Sequence, residues 1–84
     1  MWFVYLLRCS DNSLYCGITN NLNKRIDTHN KGNGAKYTKT RLPAILVYQE
    51  LYETKSQALK REYVIKQLNK QQKESLIMNH LDSK

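Results

Sequence analysis

Residues 2–18 read WFVYLLRCSDNSLYCGI, and this stretch determines the predicted fold. Residues 2–7 are almost all apolar and rich in aromatic and β-branched side chains, which predicts a strand covered on both faces. The turn-forming cluster SDNS at residues 10–13 separates this strand from residues 14–18, which predict a second strand. The simplest connection between two such strands is an antiparallel hairpin.

The hairpin carries two tyrosines, Tyr5 and Tyr15, whose relative position depends on the loop. Aromatic residues favour strands, so each tyrosine taken singly is interpreted as packing. Both phenols lie on one face if the loop has an odd number of residues or a bulge near Asp11, whereas a regular two-residue loop separates them. We predict the shared face, where both phenols could bind water or phosphate.

The remainder of the chain predicts helices around a third strand. Gly32 is placed to end the first helix, and Thr54 with Gln57 forms a capping box that opens another. We predict one α+β domain over residues 1–84, with a small mixed or antiparallel three-stranded sheet flanked by helices in the order β-β-α-β-α-α. The expected elements are a helix over residues 22–30, a strand over 44–51, helices over 54–68 and 70–80, a core over about 2–78 and a frayed tail over 79–84.

The charge balance favours a polyanionic partner. Lys and Arg total 14 against 7 Asp and Glu, giving a formal net charge of +7. Nucleic acid is the first candidate, an anionic membrane the second and an acidic protein the third. Cys9 and Cys16 are too few for a disulfide framework and lack zinc-site partners, so we expect reduced thiols in a cytoplasmic protein. We expect neither a signal peptide nor a membrane-spanning segment.

Three polar side chains stand out, and each has two interpretations. Arg25 and His29 are four residues apart, so they are neighbours on a helix face, where Arg could neutralise phosphate and His could transfer a proton. Taken alone, the pair is better explained as a surface Arg and a partly buried His. Glu62 lies among apolar positions and is equally well explained by a metal site or by an ion pair with Lys66.

The segment between the first helix and the third strand is basic and contains glycine. It could follow a phosphate backbone while Tyr37 stacks on a base, or it could be an ordinary solvated loop. Its candidate nucleic-acid contacts, with one lysine from the preceding helix, are Lys24, Lys31, Lys36, Tyr37, Lys39 and Arg41.

Together these residues resemble the GIY-YIG nuclease family. The family's Gly-Ile-Tyr signature resembles residues 3–5, FVY, and its Tyr-Ile-Gly signature resembles residues 15–17, YCG. The downstream pair of Arg and His is similar to Arg25 and His29, and the metal-binding Glu is similar to Glu62 within ALKREYVIKQL. The likeness is greatest to small stand-alone bacterial members and extends to the nuclease domain of excinuclease C. The first signature here lacks its glycine, and residues 71–75 lack the Asn found in many active members.

The resemblance implies a nuclease that hydrolyses phosphodiester bonds with one Mg²⁺ or Mn²⁺ ion. Glu62 would hold the metal, Arg25 would stabilise transition-state charge, Tyr15 would position water or phosphate, and either Tyr5 or His29 would be the base. We expect the substrate to be nucleic acid, DNA rather than RNA, and the setting to be repair or recombination. We expect a monomer or weak dimer, with a possible protein partner that supplies specificity. The alternatives are a nucleic-acid-binding module without catalysis and a protein-interaction domain.

Overall fold

The computed structural model describes residues 1–82 and has the predicted α+β architecture. Its sheet is antiparallel throughout, with β1 in the centre and the spatial order β2-β1-β3. The elements are β1 (Trp2–Arg8), β2 (Leu14–Thr19), α1 (Leu22–Asn30), α2 (Lys36–Lys39), β3 (Ile45–Tyr52), α3 (Lys55–Gln67) and α4 (Lys70–Asp82).

The β1–β2 hairpin confirms the prediction of an odd loop. Arg8 pairs with Leu14, which leaves the five residues 9–13 as the connection. Within it, the backbone N–H of Cys9 donates to the carbonyl of Ser13 at 2.9 Å. Because Tyr5 pairs with Gly17 and Leu7 pairs with Tyr15, both tyrosines lie on the same face of the sheet.

The two faces of the sheet carry different layers. Helices α3 and α4 cover one face over the larger core cluster, whose buried members are Val4, Leu6, Leu14, Cys16, Tyr48, Ala58, Ile65 and Ile77. The other face carries a smaller cluster of Tyr5, Leu7 and Ala44, against which Leu22 and Ile26 of α1 pack. The face with the tyrosines is therefore the one beside α1.

Local signals account for the helix boundaries. The Asn21 side chain accepts from the backbone N–H of Lys24 and begins α1, and Gly32 follows its end with a φ of 82°. Thr54 and Gln57 form the predicted capping box of α3. Helix α4 continues to Asp82, while residues 83–84 of the expected frayed tail lie outside the described residues.

The segment predicted as a plain loop contains the helical turn α2, which is a correction to the prediction. Its four residues, KYTK, are too few for a hydrophobic period, and Ala35 at its N-cap offers no side-chain cap. The loop is closed at its base by Asn30, whose side chain donates to the Ala44 carbonyl at 2.9 Å and accepts from its N–H at 2.8 Å. Within residues 1–82, no helix combines the length and apolar character needed to cross a bilayer.

Candidate functional site

The centre of the candidate site is a buried contact between Tyr5 and His29. Both side chains are fully buried, and Tyr5 Oη lies 3.0 Å from His29 Nε2. Arg25 Nε donates to the same phenol oxygen at 3.4 Å. The structure therefore brings together three of the residues that the sequence singled out.

Helix α1 directs Arg25 and His29 to the sheet because of its amphipathic spacing. Leu22 and Ile26 face the apolar cluster around Tyr5, and positions three and four residues along a helix share a side. His29 lies one turn after Arg25 and becomes completely buried, so the interpretation of a partly buried histidine underestimated its burial.

The segment after α1 seals His29 from solvent. Nδ1 of His29 lies 2.7 Å from Thr38 Oγ1, and the Thr38 hydroxyl donates to the carbonyl of Ala35 at 3.0 Å. The backbone of Gly34 packs against the imidazole so closely that a Cβ at this position would clash with Nδ1 and Cγ. Thr38 is itself fully buried, which places α2 directly over the histidine.

Tyr15 joins this cluster from β2. Its ring centroid lies 6.4 Å from that of Tyr5 and 5.2 Å from that of His29, with the His29 contact edge-on. Gly17, two residues later on the same face, leaves room for the Tyr5 phenol, because a Cβ there would lie 2.5 Å from Oη. The Tyr-x-Gly spacing thus has a steric basis in this chain.

Burial and the nearby guanidinium determine the protonation of the central pair. Burial raises the pKa of Tyr5 above its ordinary value, against the lowering effect of Arg25. Burial, followed by the Arg25 charge, lowers the pKa of His29. A neutral phenol therefore meets a neutral imidazole near pH 7.

Glu62 lies on the opposite side of β2 from the tyrosines. Its side chain is 18% exposed and its Oε2 lies 3.5 Å from Lys66 Nζ, so the ion pair weighed from the sequence is present. The carboxylate is close to Cys16, whose pKa rises to about 12, first through burial and next through the Glu62 charge. Since β2 is an edge strand, no further strand separates its two faces on the outer side of the sheet. Glu62 and the tyrosines can therefore both be approached from the free edge of β2.

A cavity of about 300 Å³ follows this edge. Tyr15 and Tyr37 line it on one side of β2, and Lys66 and Lys73 line it near the side of Glu62. Tyr37 and Lys73 also line an adjoining cavity at the hairpin loop. The concave surface around the β2 edge is therefore aromatic with a cationic border.

The described residues fit a metal ion whose ligands come partly from Glu62 and partly from substrate and water, in preference to an ion held by protein ligands alone. Among residues 1–82, no three His, Cys, Asp or Glu side chains converge to form a cluster that could hold a metal. Glu62 supplies a single partly exposed carboxylate. Magnesium is often held by one or two carboxylates, with water and substrate phosphate completing its ligands. Glu62 is thus a suitable candidate ligand.

The candidate nucleic-acid contacts differ in their availability. Lys24, Lys36 and Lys39 are exposed, and their ammonium groups have no described ion-pair or hydrogen-bond partner in residues 1–82. Lys31 pairs with Asp27 at 2.7 Å on the helix surface. An exposed ion pair of this kind is weak, so Lys31 can exchange its partner for a phosphate at little cost.

Arg41 and Tyr37 are held within the protein more firmly than the sequence indicates. Arg41 Nε donates to Asp11 at 3.0 Å, its Nη1 donates to the Tyr37 carbonyl at 2.8 Å, and its guanidinium lies 4.1 Å from the Tyr37 ring centroid. Tyr37 is 39% exposed, and its ring also stacks beside Tyr15 with centroids 6.1 Å apart. Arg41 therefore covers one face of the Tyr37 ring, and base stacking on that face requires Arg41 to move.

The sequence did not identify Thr38 and Lys73 as residues of the site, and it did not predict the ion pairs of Glu74. Thr38 was considered only as part of a basic loop, and Lys73 was not selected, although both lie beside the tyrosine cluster. Glu74, in the stretch that lacks the family Asn, binds Arg8 through contacts of 2.6 and 2.8 Å and Lys70 at 2.8 Å. No local pattern marks Thr38, because its contact with His29 depends on how the loop folds back.

Comparisons with known proteins agree with the fold. A family model for the GIY-YIG catalytic domain matches residues 1–75. A UPF0213 protein of Staphylococcus haemolyticus is 57% identical over 75 residues, covering 89% of this chain and 92% of its own, and one of Staphylococcus aureus is 60% identical with the same coverage. The solution NMR structure of a UPF0213 protein from Bacillus halodurans is 40% identical, with a TM-score of 0.60 over 93% of this chain and 84% of that one. A protein from E. faecalis has 40% identity and a TM-score of 0.61, over 94% and 85% of the two chains.

Proposed function

Because the chain belongs to the GIY-YIG catalytic-domain family, we propose that it is a divalent-metal-dependent nuclease that hydrolyses nucleic-acid phosphodiester bonds. The observation that carries the proposal is the buried contact of Tyr5 with His29 and Arg25 beside the open edge of β2. A neutral phenol, a neutral imidazole and a guanidinium are together able to orient water, accept its proton and stabilise phosphate charge.

The proposed roles follow from these contacts. Once substrate binding opens the site to the phenol, which is buried in this structure, Tyr5 Oη orients the attacking water and takes its proton while passing its own proton to His29 Nε2 at 3.0 Å. Arg25 stabilises the additional negative charge on the phosphate in the transition state. Tyr15 positions water or phosphate beside them. The raised pKa of Tyr5 disfavours a free phenolate, which supports a shared role for the tyrosine and the histidine as base.

Glu62 would hold the divalent ion. A Mg²⁺ or Mn²⁺ ion bound there would polarise the phosphate and neutralise charge on the leaving oxygen. The exposed lysines Lys24, Lys36 and Lys39, with Lys73 at the β2 edge, would attract the phosphate backbone. Arg41 and Tyr37 would support this surface by fixing α2 against the hairpin, and Lys31 would add charge.

The net charge of +7 supports a nucleic-acid substrate, and we propose DNA in repair or recombination. The exposed candidate contacts are lysines, which suit the phosphate backbone, so we propose cleavage that depends on substrate structure or on a protein partner. Two buried free cysteines support a reducing, cytoplasmic setting, and we propose a monomer or weak dimer.

The first test measures cleavage of labelled branched, single-stranded and duplex DNA and of RNA, with Mg²⁺, Mn²⁺ or EDTA. Glu62→Ala and Arg25→Ala are compared with Glu53→Ala, which removes an exposed carboxylate close to α3. We expect metal-dependent cleavage that is lost in the first two variants and kept in the control. Cleavage that survives in Glu62→Ala would refute the proposed metal site.

Glu74 favours a second candidate, a nucleic-acid-binding module without catalysis. It occupies the stretch in which many active family members have Asn, and its ion pairs to Arg8 and Lys70 fix it in place. This candidate predicts salt-sensitive binding, no turnover under any metal condition, and binding that does not change in Glu62→Ala.

A further inference from the structure

The two neighbours of the Thr38 hydroxyl bear on where the proton of His29 lies. A threonine hydroxyl has one hydrogen, and the Ala35 carbonyl, 3.0 Å from Thr38 Oγ1, can only accept it. His29 Nδ1 lies 2.7 Å from the same oxygen and can either donate or accept. The arrangement that satisfies both contacts has the hydroxyl hydrogen on Ala35 and the imidazole hydrogen on Nδ1.

The opposite nitrogen must then accept a hydrogen bond from Tyr5. In a neutral imidazole with hydrogen on Nδ1, Nε2 has a lone pair and no hydrogen. Tyr5 Oη, 3.0 Å away, donates to it and in turn accepts from Arg25 Nε at 3.4 Å. All hydrogens in the chain from Arg25 through Tyr5 and His29 to Thr38 thus point in one direction.

The fold keeps the Thr38 hydroxyl close to Ala35. The Ala35 carbonyl accepts from the backbone N–H groups of Thr38 and Lys39, each at 3.1 Å, so the helical turn of α2 holds Thr38 Oγ1 beside this oxygen. The reverse tautomer, with hydrogen on Nε2, would need Thr38 to turn its hydrogen toward Nδ1 and give up Ala35. It would also leave the Tyr5 hydroxyl unable to donate to the imidazole.

We propose that Thr38 is a positioning residue that holds His29 in the tautomer whose Nε2 accepts the Tyr5 proton. During hydrolysis, the water oxygen bonds to phosphorus as the bond from phosphorus to the leaving nucleotide oxygen breaks, and solvent protonates that leaving oxygen. One proton of the attacking water moves to Tyr5 Oη, while the Tyr5 proton moves to His29 Nε2. The imidazolium keeps its Nδ1 hydrogen on Thr38, and the excess proton returns through Tyr5 to solvent when product leaves. This role rests on the proposed function, whereas the tautomer itself does not.

Three other groups face His29, and of these the Arg25 charge lowers its pKa. Arg25 contributes a positive charge from α1, and the phenols of Tyr5 and Tyr15 contact the ring from β1 and β2. None of them contacts Nδ1, whose described partner is Thr38. Changing Thr38 therefore tests one nitrogen while leaving the other contacts in place.

The experiment combines NMR with kinetics on Thr38→Val and Thr38→Ser. Valine keeps the shape of threonine without the hydroxyl, and serine keeps the hydroxyl. Spectra of the protein labelled with ¹⁵N-histidine report which ring nitrogen is protonated, and His80→Gln assigns the two histidines. Cleavage rates are measured across the pH range in which imidazole titrates.

We expect His29 in the wild type and in Thr38→Ser to carry hydrogen on Nδ1, and Thr38→Val to populate the Nε2 tautomer. We expect kcat to fall roughly 10- to 100-fold in Thr38→Val with little change in KM, and serine to restore most of it. Hydrogen on Nε2 in the wild type, or an unchanged tautomer and kcat in Thr38→Val, would overturn the inference. A folded wild type without nuclease activity would refute the proposed function, and its NMR spectrum would still decide the tautomer even if Thr38→Val does not fold.

Discussion

Adding a single methyl group at Gly17 tests the packing that holds Tyr5 against His29. The backbone of Gly17 does not require glycine for its conformation, since the positive-φ residues of the described chain are Asn12 and Gly32. Space is the constraint, because a Cβ at position 17 would lie 2.5 Å from Tyr5 Oη and 2.7 Å from its Cζ. The phenol is fully buried, so it has no open space to move into.

Gly17→Ala is therefore expected to destabilise the protein by overpacking. Inserting a methyl group into a packed core costs about 1–3 kcal/mol, and each kcal/mol lowers Tm by about 4–8 °C in a domain of this size. Urea denaturation and thermal unfolding measure this change. Because the displaced group is the phenol, cleavage should weaken in the same variant even at temperatures where it remains folded.

A double-mutant cycle identifies the phenol as the cause. Tyr5→Phe removes Oη, the nearest atom to the new methyl, while the ring carbon at 2.7 Å remains. The cost of Gly17→Ala should therefore be smaller in the Tyr5→Phe background by more than about 0.5 kcal/mol. An equal cost in both backgrounds, or no cost in either, would refute the reasoning that Gly17 makes room for the phenol.

Three other predictions concern charge and metal. The contacts with Arg8 and Lys70 lower the pKa of Glu74 to about 2, below its ordinary 4.5. The stability that these contacts give is therefore fully present above pH 4.5 and is lost as the pH falls toward 2. Urea titrations of Glu74→Gln should lack this part of the acid dependence, and pH profiles equal to those of the wild type would contradict the prediction. Lys39→Gln should reduce the log–log salt slope of single-stranded oligonucleotide binding by about 0.7, whereas Lys60→Gln on the exposed side of α3 should not. With EDTA present, Glu62→Ala should bind oligonucleotide as tightly as the wild type, because its proposed role is to hold the metal; weaker binding would assign it a structural role instead.

The hairpin and its site were predictable because their signals are local. A continuous apolar run and turn residues placed β1 and β2, and the odd loop put Tyr5 and Tyr15 on one face. The helical spacing of Arg25 and His29 likewise predicted a shared side, which the structure confirms through the phenol of Tyr5. Periodicity and capping were sufficient for these elements.

The segment between α1 and β3 was less predictable because its contacts are distant in sequence. Its charges suggested a solvated loop that follows the phosphate backbone, but Arg41 pairs at the surface with Asp11, thirty residues earlier in the sequence. Thr38 is buried because α2 packs over His29, which no local pattern encodes. The position of Glu62 across β2 from the tyrosines also depends on how α3 packs, so its spacing from Ala58 and Ile65 could not fix it.

The two contacts that hold the segment between α1 and β3 also have an entropic consequence. Asn30 ties its base to Ala44, and Arg41 ties its end to Asp11, before any ligand is present. Ordering a free backbone costs roughly 1–2 kcal/mol per residue, so arranging the four residues of α2 only on binding would subtract roughly 4–8 kcal/mol from the affinity. Since this ordering accompanies folding, a ligand meets a preorganised surface. Removing the Asn30–Ala44 or the Arg41–Asp11 contact should therefore weaken binding although no contact to the ligand is lost.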